Sequence, residues 1–110
     1  IAAHYNLDNL VGIVDRNKVQ QCGDTEEIMS LEPYFDKWAA FNWDVSEIDG
    51  HDLKQVVETL GEENKKSKPK LILCNTVKGK GVSFMEGDNK WHGGGAIKEF
   101  AKEALHEVKL

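Results

Sequence analysis

Leu10-Val11-Gly12-Ile13-Val14-Asp15-Arg16-Asn17-Lys18 is the stretch that decides the fold class. An uninterrupted apolar run gives way at once to four polar residues, the pattern of a short strand buried on both faces and ending in a loop. An amphipathic helix would break such a run with polar residues every third or fourth position. Lys70-Leu71-Ile72-Leu73-Cys74-Asn75-Thr76-Val77 has the same character and predicts another buried strand. Between the two, Trp43-Asp44-Val45-Ser46-Glu47-Ile48 alternates at period two and Asp49-Gly50 closes it with turn chemistry, which predicts a strand there as well.

Helical spacing fills the intervals. Leu31, Tyr34, Phe35 and Trp38 fall at i, i+3, i+4 and i+7, with Ser30 placed as N-cap and Pro33 in the first turn. Leu53, Val56, Val57 and Leu60 repeat that spacing behind Asp52, whose charge suits the positive end of a helix dipole. Ile97, Phe100, Ala101, Ala104, Leu105 and Val108 form one face of a last helix, after a glycine-rich loop from Gly79 to Gly95. Ile1 to Leu7 is helix-forming with no capping residue ahead of it, and is expected to be the tail of a helix. The order α-β-α-β-α-β-loop-α implies α/β architecture: a partial doubly wound parallel sheet of three strands with flanking helices, in one domain over residues 1–110. Ligands of such sheets bind beyond the carboxyl ends of the strands. Those ends are Asp15 to Val19, Asp49 to Asp52, and Thr76 to His92.

Composition narrows the function classes. The chain has 110 residues, 14 Lys+Arg against 19 Asp+Glu, and 40% hydrophobic residues spread along its length. A net charge of -5 with dispersed lysines argues against a nucleic-acid partner. No window has the roughly 18 to 20 apolar residues of a membrane span, so a cytoplasmic location is expected. Cys22 and Cys74 form no C-x-x-C and are expected as reduced thiols.

Three places at the strand ends carry candidate chemistry. Asp15-x-Asn17 offers hard oxygen donors for Mg²⁺ or Ca²⁺, a ligand phosphate being the natural completion; the plain alternative is an Asx turn. Lys78-Gly79-Lys80-Gly81 could present N–H groups and ammonium charge to an anion, although its spacing is not that of a Walker A loop; the alternative is a flexible loop. Trp91-His92-Gly93-Gly94-Gly95 suggests close approach to a ligand, with His92 donating to an anionic group or moving a proton, against a plain surface turn. No Ser/His/Asp or H-E-x-x-H arrangement supports hydrolase chemistry.

Taken in order, Leu7 to Gln20, Ile48 to Asp52, and Thr76 to Glu86 with Trp91-His92-Gly93 resemble the diphosphate-binding domain of transketolase, over nearly the full chain. The similarity is greatest to transketolases whose diphosphate-binding and pyrimidine-binding domains are separate polypeptides. The resemblance implies thiamine diphosphate held through Mg²⁺ or Ca²⁺, with Asn17 giving its side-chain oxygen and Val19 its backbone carbonyl to the metal. It matches His92 to a catalytic position near the diphosphate and the substrate channel, and Lys78 to a position lining the cofactor pocket. The implied reaction is transfer of a two-carbon ketol unit between sugar phosphates, in a homo- or hetero-oligomer whose partner is a pyrimidine-binding subunit. Deoxyxylulose phosphate synthase resembles the chain at the same motifs but carries a long insertion between the first two strands, which the span from Asn17 to Asp49 lacks. A non-catalytic α/β module is the competing reading, because the family's Gly-Asp-Gly metal ligand and its catalytic Glu have no counterpart among these residues.

A sheet of so few strands leaves an edge and an apolar face unpaired, so association is expected. Light scattering at about tens of micromolar protein, where such contacts form, checks this. A single monomeric species would contradict it.

Overall fold

The computed structural model describes residues 1–64, 66–93 and 97–108. Gly94 and Gly95 of the predicted glycine-rich loop lie outside the described residues. The chain divides into two compact units, one of residues 1–16 and 31–76, the other of residues 17–30 and 77–110.

The first unit is built on a three-stranded parallel sheet. β1 (Val11–Arg16), β4 (Asp44–Asp49) and β5 (Lys70–Asn75) stand in the order β1-β5-β4. Val11 is opposite Lys70 and Arg16 opposite Asn75, while Asp44 is opposite Lys70 and Asp49 opposite Asn75. All three carboxyl ends therefore reach one edge, as the alternating pattern implies. Burial is distributed differently from the expectation. β5 is the strand covered on both faces, with Leu71, Ile72 and Leu73 at 1 to 2% exposure. β1 is an edge strand whose Val11 and Ile13 are 44% and 60% exposed. Its apolar run was expected to be buried on both faces, but it has one strand neighbour, and Val11 and Ile13 stay exposed.

Two helices cover the sheet. α2 (Tyr34–Ala40) begins later than the spacing at Leu31 predicts. Ser30 is not its N-cap: Ser30 Oγ donates to Glu26 Oε2 at 2.6 Å, within the other unit. Pro33, reached through a cis peptide bond, holds the cap position, and Glu32 Oε2 accepts from the Tyr34 N–H at 2.9 Å. A carboxylate one residue before the cap position thus satisfies an orphan donor of the first turn. Trp38 at the inner side of α2 meets Trp43 edge-on at 5.0 Å. Trp43 lies over Gly12, where a Cβ would come within 3.3 Å of the indole and 3.0 Å of Leu71 Cδ1.

α3 (Leu53–Gly61) connects β4 to β5 and is capped by Asp52, whose Oδ1 accepts from the N–H groups of Lys54 and Gln55. The Gln55 side chain also donates to it, and these bonds hold the Asp52 carboxyl below the usual range. Only part of its predicted apolar stripe faces the sheet. Val56 packs on Ile48, Ile72 and Cys74, whereas Leu53, Val57 and Leu60 are 76%, 68% and 47% exposed. Before β1, residues 1–7 make a single turn closed in Schellman fashion. Leu7 N–H donates to Ala2 O, Asn6 N–H donates to Ala3 O, and Asn6 adopts φ +50°.

The second unit opens with elements that side-chain spacing does not predict. β2 (Val19–Gln20) and β3 (Gly23–Asp24) form a short antiparallel hairpin, followed by α1 (Thr25–Ile28) capped by Asp24. Later in the chain come a 3₁₀ turn (Asn89–His92) and α4 (Ile97–Glu107).

Gly50 ties β4 to β5. Its N–H donates to Asn75 O at 2.8 Å, and a Cβ there would stand 2.6 Å from Thr76 Cγ2 and 2.9 Å from Cys74 Cβ. Gly50→Ala is expected to destabilise the protein by about 1 to 3 kcal/mol, the scale of a forced overpacking, read as a lower urea midpoint at unchanged m-value. Cys74 and Cys22 should separate by reactivity. Burial, and then the neighbouring Asp15 carboxylate, push the Cys74 thiol up, so less thiolate is present at any pH, while Cys22 is exposed. One thiol per chain should react with an aromatic disulfide reagent in native buffer at pH 8, and two after unfolding.

Candidate functional site

All four residues singled out by sequence, Asn17, Val19, Lys78 and His92, fall in the second unit. Its two segments are the ones that leave the sheet after β1 and after the residue following β5. Asn17 and Val19 are brought together directly. Asn17 Oδ1 accepts from the Val19 N–H at 3.0 Å, and Lys18 between them adopts φ +63°. This is the geometry of an Asx turn, and it is stabilised from behind: the Thr25 N–H donates to Lys18 O at 3.0 Å, and Thr25 Oγ1 does so at 3.2 Å. The Asx reading and the metal reading do not compete here. A carbonyl oxygen has two lone pairs, and one N–H leaves Asn17 Oδ1 able to accept again.

The segment from Lys78 is ordered by its own backbone. Lys80 N–H donates to Val77 O at 3.1 Å, Val82 N–H to Gly79 O at 3.1 Å, and Gly87 N–H to Lys78 O at 2.9 Å. Gly79 takes φ +74° and lies so close to Met85 that a Cβ would approach the Met85 carbonyl oxygen to 2.7 Å. Glu86 completes the turn. Its Oε1 accepts from the Gly81 N–H at 3.1 Å and stands 3.5 Å from Lys80 Nζ. Within Lys78-Gly79-Lys80-Gly81 the N–H groups of Lys80 and Gly81 are already used, the second by an internal carboxylate, which narrows what the segment can present to an anion. The flexible-loop alternative fails for the same reason. The Lys78 ammonium, on a half-buried residue and with no ion pair among the described residues, is the charged group that the segment offers an external anion.

His92 ends the 3₁₀ turn and is exposed. The turn is capped by Asp88, whose Oδ1 accepts from the Lys90 N–H at 2.9 Å and whose Oδ2 pairs with Lys90 Nζ at 2.6 Å. Those bonds, the Lys90 side chain first, hold the Asp88 carboxyl low. The imidazole has no hydrogen bond among the described residues and is open to an incoming group. No hydrogen bond or ion pair joins Asn17, Lys78 and His92 to one another. They are three separately supported positions.

The donor set suits a hard cation that brings anionic oxygens with it. Asn17 supplies a neutral amide oxygen and Val19 a backbone carbonyl, the oxygen types that Mg²⁺ and Ca²⁺ prefer. No group of three His, Cys, Asp or Glu side chains gathers as a cation site among the described residues. Negative charge at such a site would have to come from a ligand such as a diphosphate or from other residues.

Sequence reasoning missed Arg16, which organises the carboxyl edge of the sheet in the first unit. Its Nε donates to Glu32 Oε1 at 2.8 Å, with the same carboxylate also bonded to its other terminal nitrogen. Nη1 donates to Asn75 Oδ1 at 2.7 Å and to Glu47 Oε1 at 3.3 Å, and Asn75 Nδ2 donates to Glu47 Oε1 at 2.8 Å. A lone arginine at the end of an apolar run was the available signal; its three acceptors are distant in sequence.

Comparison with known proteins gives a consistent result. The family model described as transketolase, thiamine diphosphate binding domain, matches residues 1–107. A subunit of the apulose-4-phosphate transketolase of Phocaeicola vulgatus is 49% identical over 105 residues, which cover 94% of this chain and 37% of that protein. The 6-deoxy-6-sulfo-D-fructose transketolase subunit SqwG of a Clostridium species is 43% identical over 104 residues, covering 94% of this chain and 38% of that protein. The crystal structure of transketolase from Campylobacter jejuni superposes with a TM-score of 0.85 at 31% identity, covering 96% of this chain and 16% of that one. The chain thus spans less than two fifths of the curated relatives it matches.

Proposed function

This chain belongs to the transketolase family, in its thiamine diphosphate binding domain, and on that premise we propose that it is the metal- and diphosphate-holding part of a transketolase subunit that works with a separate pyrimidine-binding partner. The observation that carries the reading is the Asn17 turn, which lies at the carboxyl end of a parallel strand and keeps an oxygen lone pair free. In this reading Asn17 Oδ1 and the Val19 carbonyl hold Mg²⁺ or Ca²⁺. The Lys78 ammonium offsets diphosphate charge. His92 donates an imidazole N–H to an anionic oxygen of cofactor or substrate, and can hold a proton there. Thiamine diphosphate, when bound, supplies the carbon nucleophile of ketol transfer. The chain's own share is orientation and charge.

The separate partner is supported by the relatives named as subunits. Their names specify a phosphorylated sugar in one case and a sulfonated sugar in the other, which supports sugars with an anionic end, sugar phosphates first, as the substrate class. A cytoplasmic setting, where both thiols stay reduced, belongs to the same proposal.

Titration calorimetry of thiamine diphosphate with Mg²⁺ tests the reading. Saturable binding is expected, weakened about tenfold or more in Asn17→Ala, since a contact to a charged group contributes roughly 1.5 to 3 kcal/mol. Absence of heat at millimolar ligand would overturn it for this chain. Mixing with a pyrimidine-binding transketolase subunit should restore ketol transfer, and restoration should be lost in the same variant.

A further inference from the structure

Three aromatic rings of the second unit meet beside His92. Phe84 and Trp91 lie 5.4 Å apart between centroids, Trp91 and Phe100 5.3 Å, and Phe84 and Phe100 5.9 Å. The two Trp91 contacts are edge-to-face, at interplanar angles of 63° and 89°. Trp91 also fixes its own rotation, because Nε1–H donates to Phe84 O at 3.0 Å. On its other side Lys90 Nζ stands 5.4 Å from the indole centroid while pairing with Asp88. Phe100 comes from α4, and α4 is fastened to the same segment a second time: Glu107 accepts from the Ser83 N–H at 2.5 Å and from Ser83 Oγ at 2.9 Å.

His92 has no such attachments and follows Trp91 directly. A 3₁₀ turn of four residues has few internal hydrogen bonds with which to hold its last residue. Order at His92 must come from its neighbours, and the neighbour with specific directional contacts is Trp91. We propose that Trp91, clamped between Phe84 and Phe100, is a positioning residue for His92, so that α4 sets where the imidazole is presented although α4 itself carries no ligand-contacting group in the proposed site. The inference rests on the reading of His92 as a diphosphate or substrate contact, but its physical core is separable from that reading.

The test uses Phe100→Ala, with Trp91→Phe as a second variant that keeps a ring and removes the indole N–H bond. In the ligand-free protein, NMR relaxation at the His92 amide should show an order parameter near that of rigid backbone, about 0.85, falling below about 0.6 in Phe100→Ala. Amides of β5 should not change. A smaller fall is expected in Trp91→Phe, which also serves if Phe100→Ala does not fold. An unchanged His92 in a folded variant overturns the proposal. With thiamine diphosphate and Mg²⁺, Phe100→Ala and His92→Ala should each raise Kd, and the double variant should raise it no further than His92→Ala alone. Multiplying effects would mean that Phe100 acts elsewhere and overturn the proposal. If the unaltered protein binds no thiamine diphosphate, the functional reading fails, and the relaxation measurement alone decides the positioning.

Discussion

The sheet depends on the burial of β5. Leu71, Ile72 and Leu73 are excluded from water on both faces of one strand, and each such side chain contributes about 1.5 to 3 kcal/mol. A strand buried on both sides needs hydrogen-bonding partners at both edges, because an unpaired N–H or C=O in that environment is costly. β1 and β4 supply those partners in parallel register, and parallel pairing puts every strand exit at one edge. The position of Asn17 in the chain, immediately after an exit, is thus a consequence of how the middle strand is satisfied.

The fold was legible where side-chain period speaks directly. Three strands and the last helix lie where the spacing puts them, because alternation and i, i+4 recurrence are local properties. Strand order is not local. The apolar run at Leu10 to Val14 and the run at Lys70 to Val77 are nearly equivalent as text, yet the second is central and the first is an edge. Neighbours decide that difference, and the exposed Val11 and Ile13 show it. The Val19–Gln20 and Gly23–Asp24 hairpin was invisible because two-residue strands carry too few side chains to establish a period.

At the candidate site, the sequence carries the kinds of donor and not their bonding. An amide directly after an apolar run marks Asn17 as a candidate, and an Asx turn is what its side chain makes, to the Val19 N–H. The internal bonding of the glycine-lysine segment was not legible, since glycines that release N–H groups and glycines that permit close packing are spelled alike. Gly79 is folded against Met85, and Glu86 takes the Gly81 N–H. That the partners of Trp91 include Phe100 of α4 could not be read from spacing.

Arg16 constrains how this protein can vary. One guanidinium answers two carboxylates, Glu32 and Glu47, and an amide, Asn75, drawn from the loop before α2 and from two strands. Removing the guanidinium would take away together its bonds to partly exposed Glu32, to exposed Glu47 and to Asn75. Arg16 is the one arginine in the sequence, so a substitution there removes at once the group that bonds all three of the others, whereas a substitution at Glu32 leaves the bonds among Arg16, Glu47 and Asn75 in place.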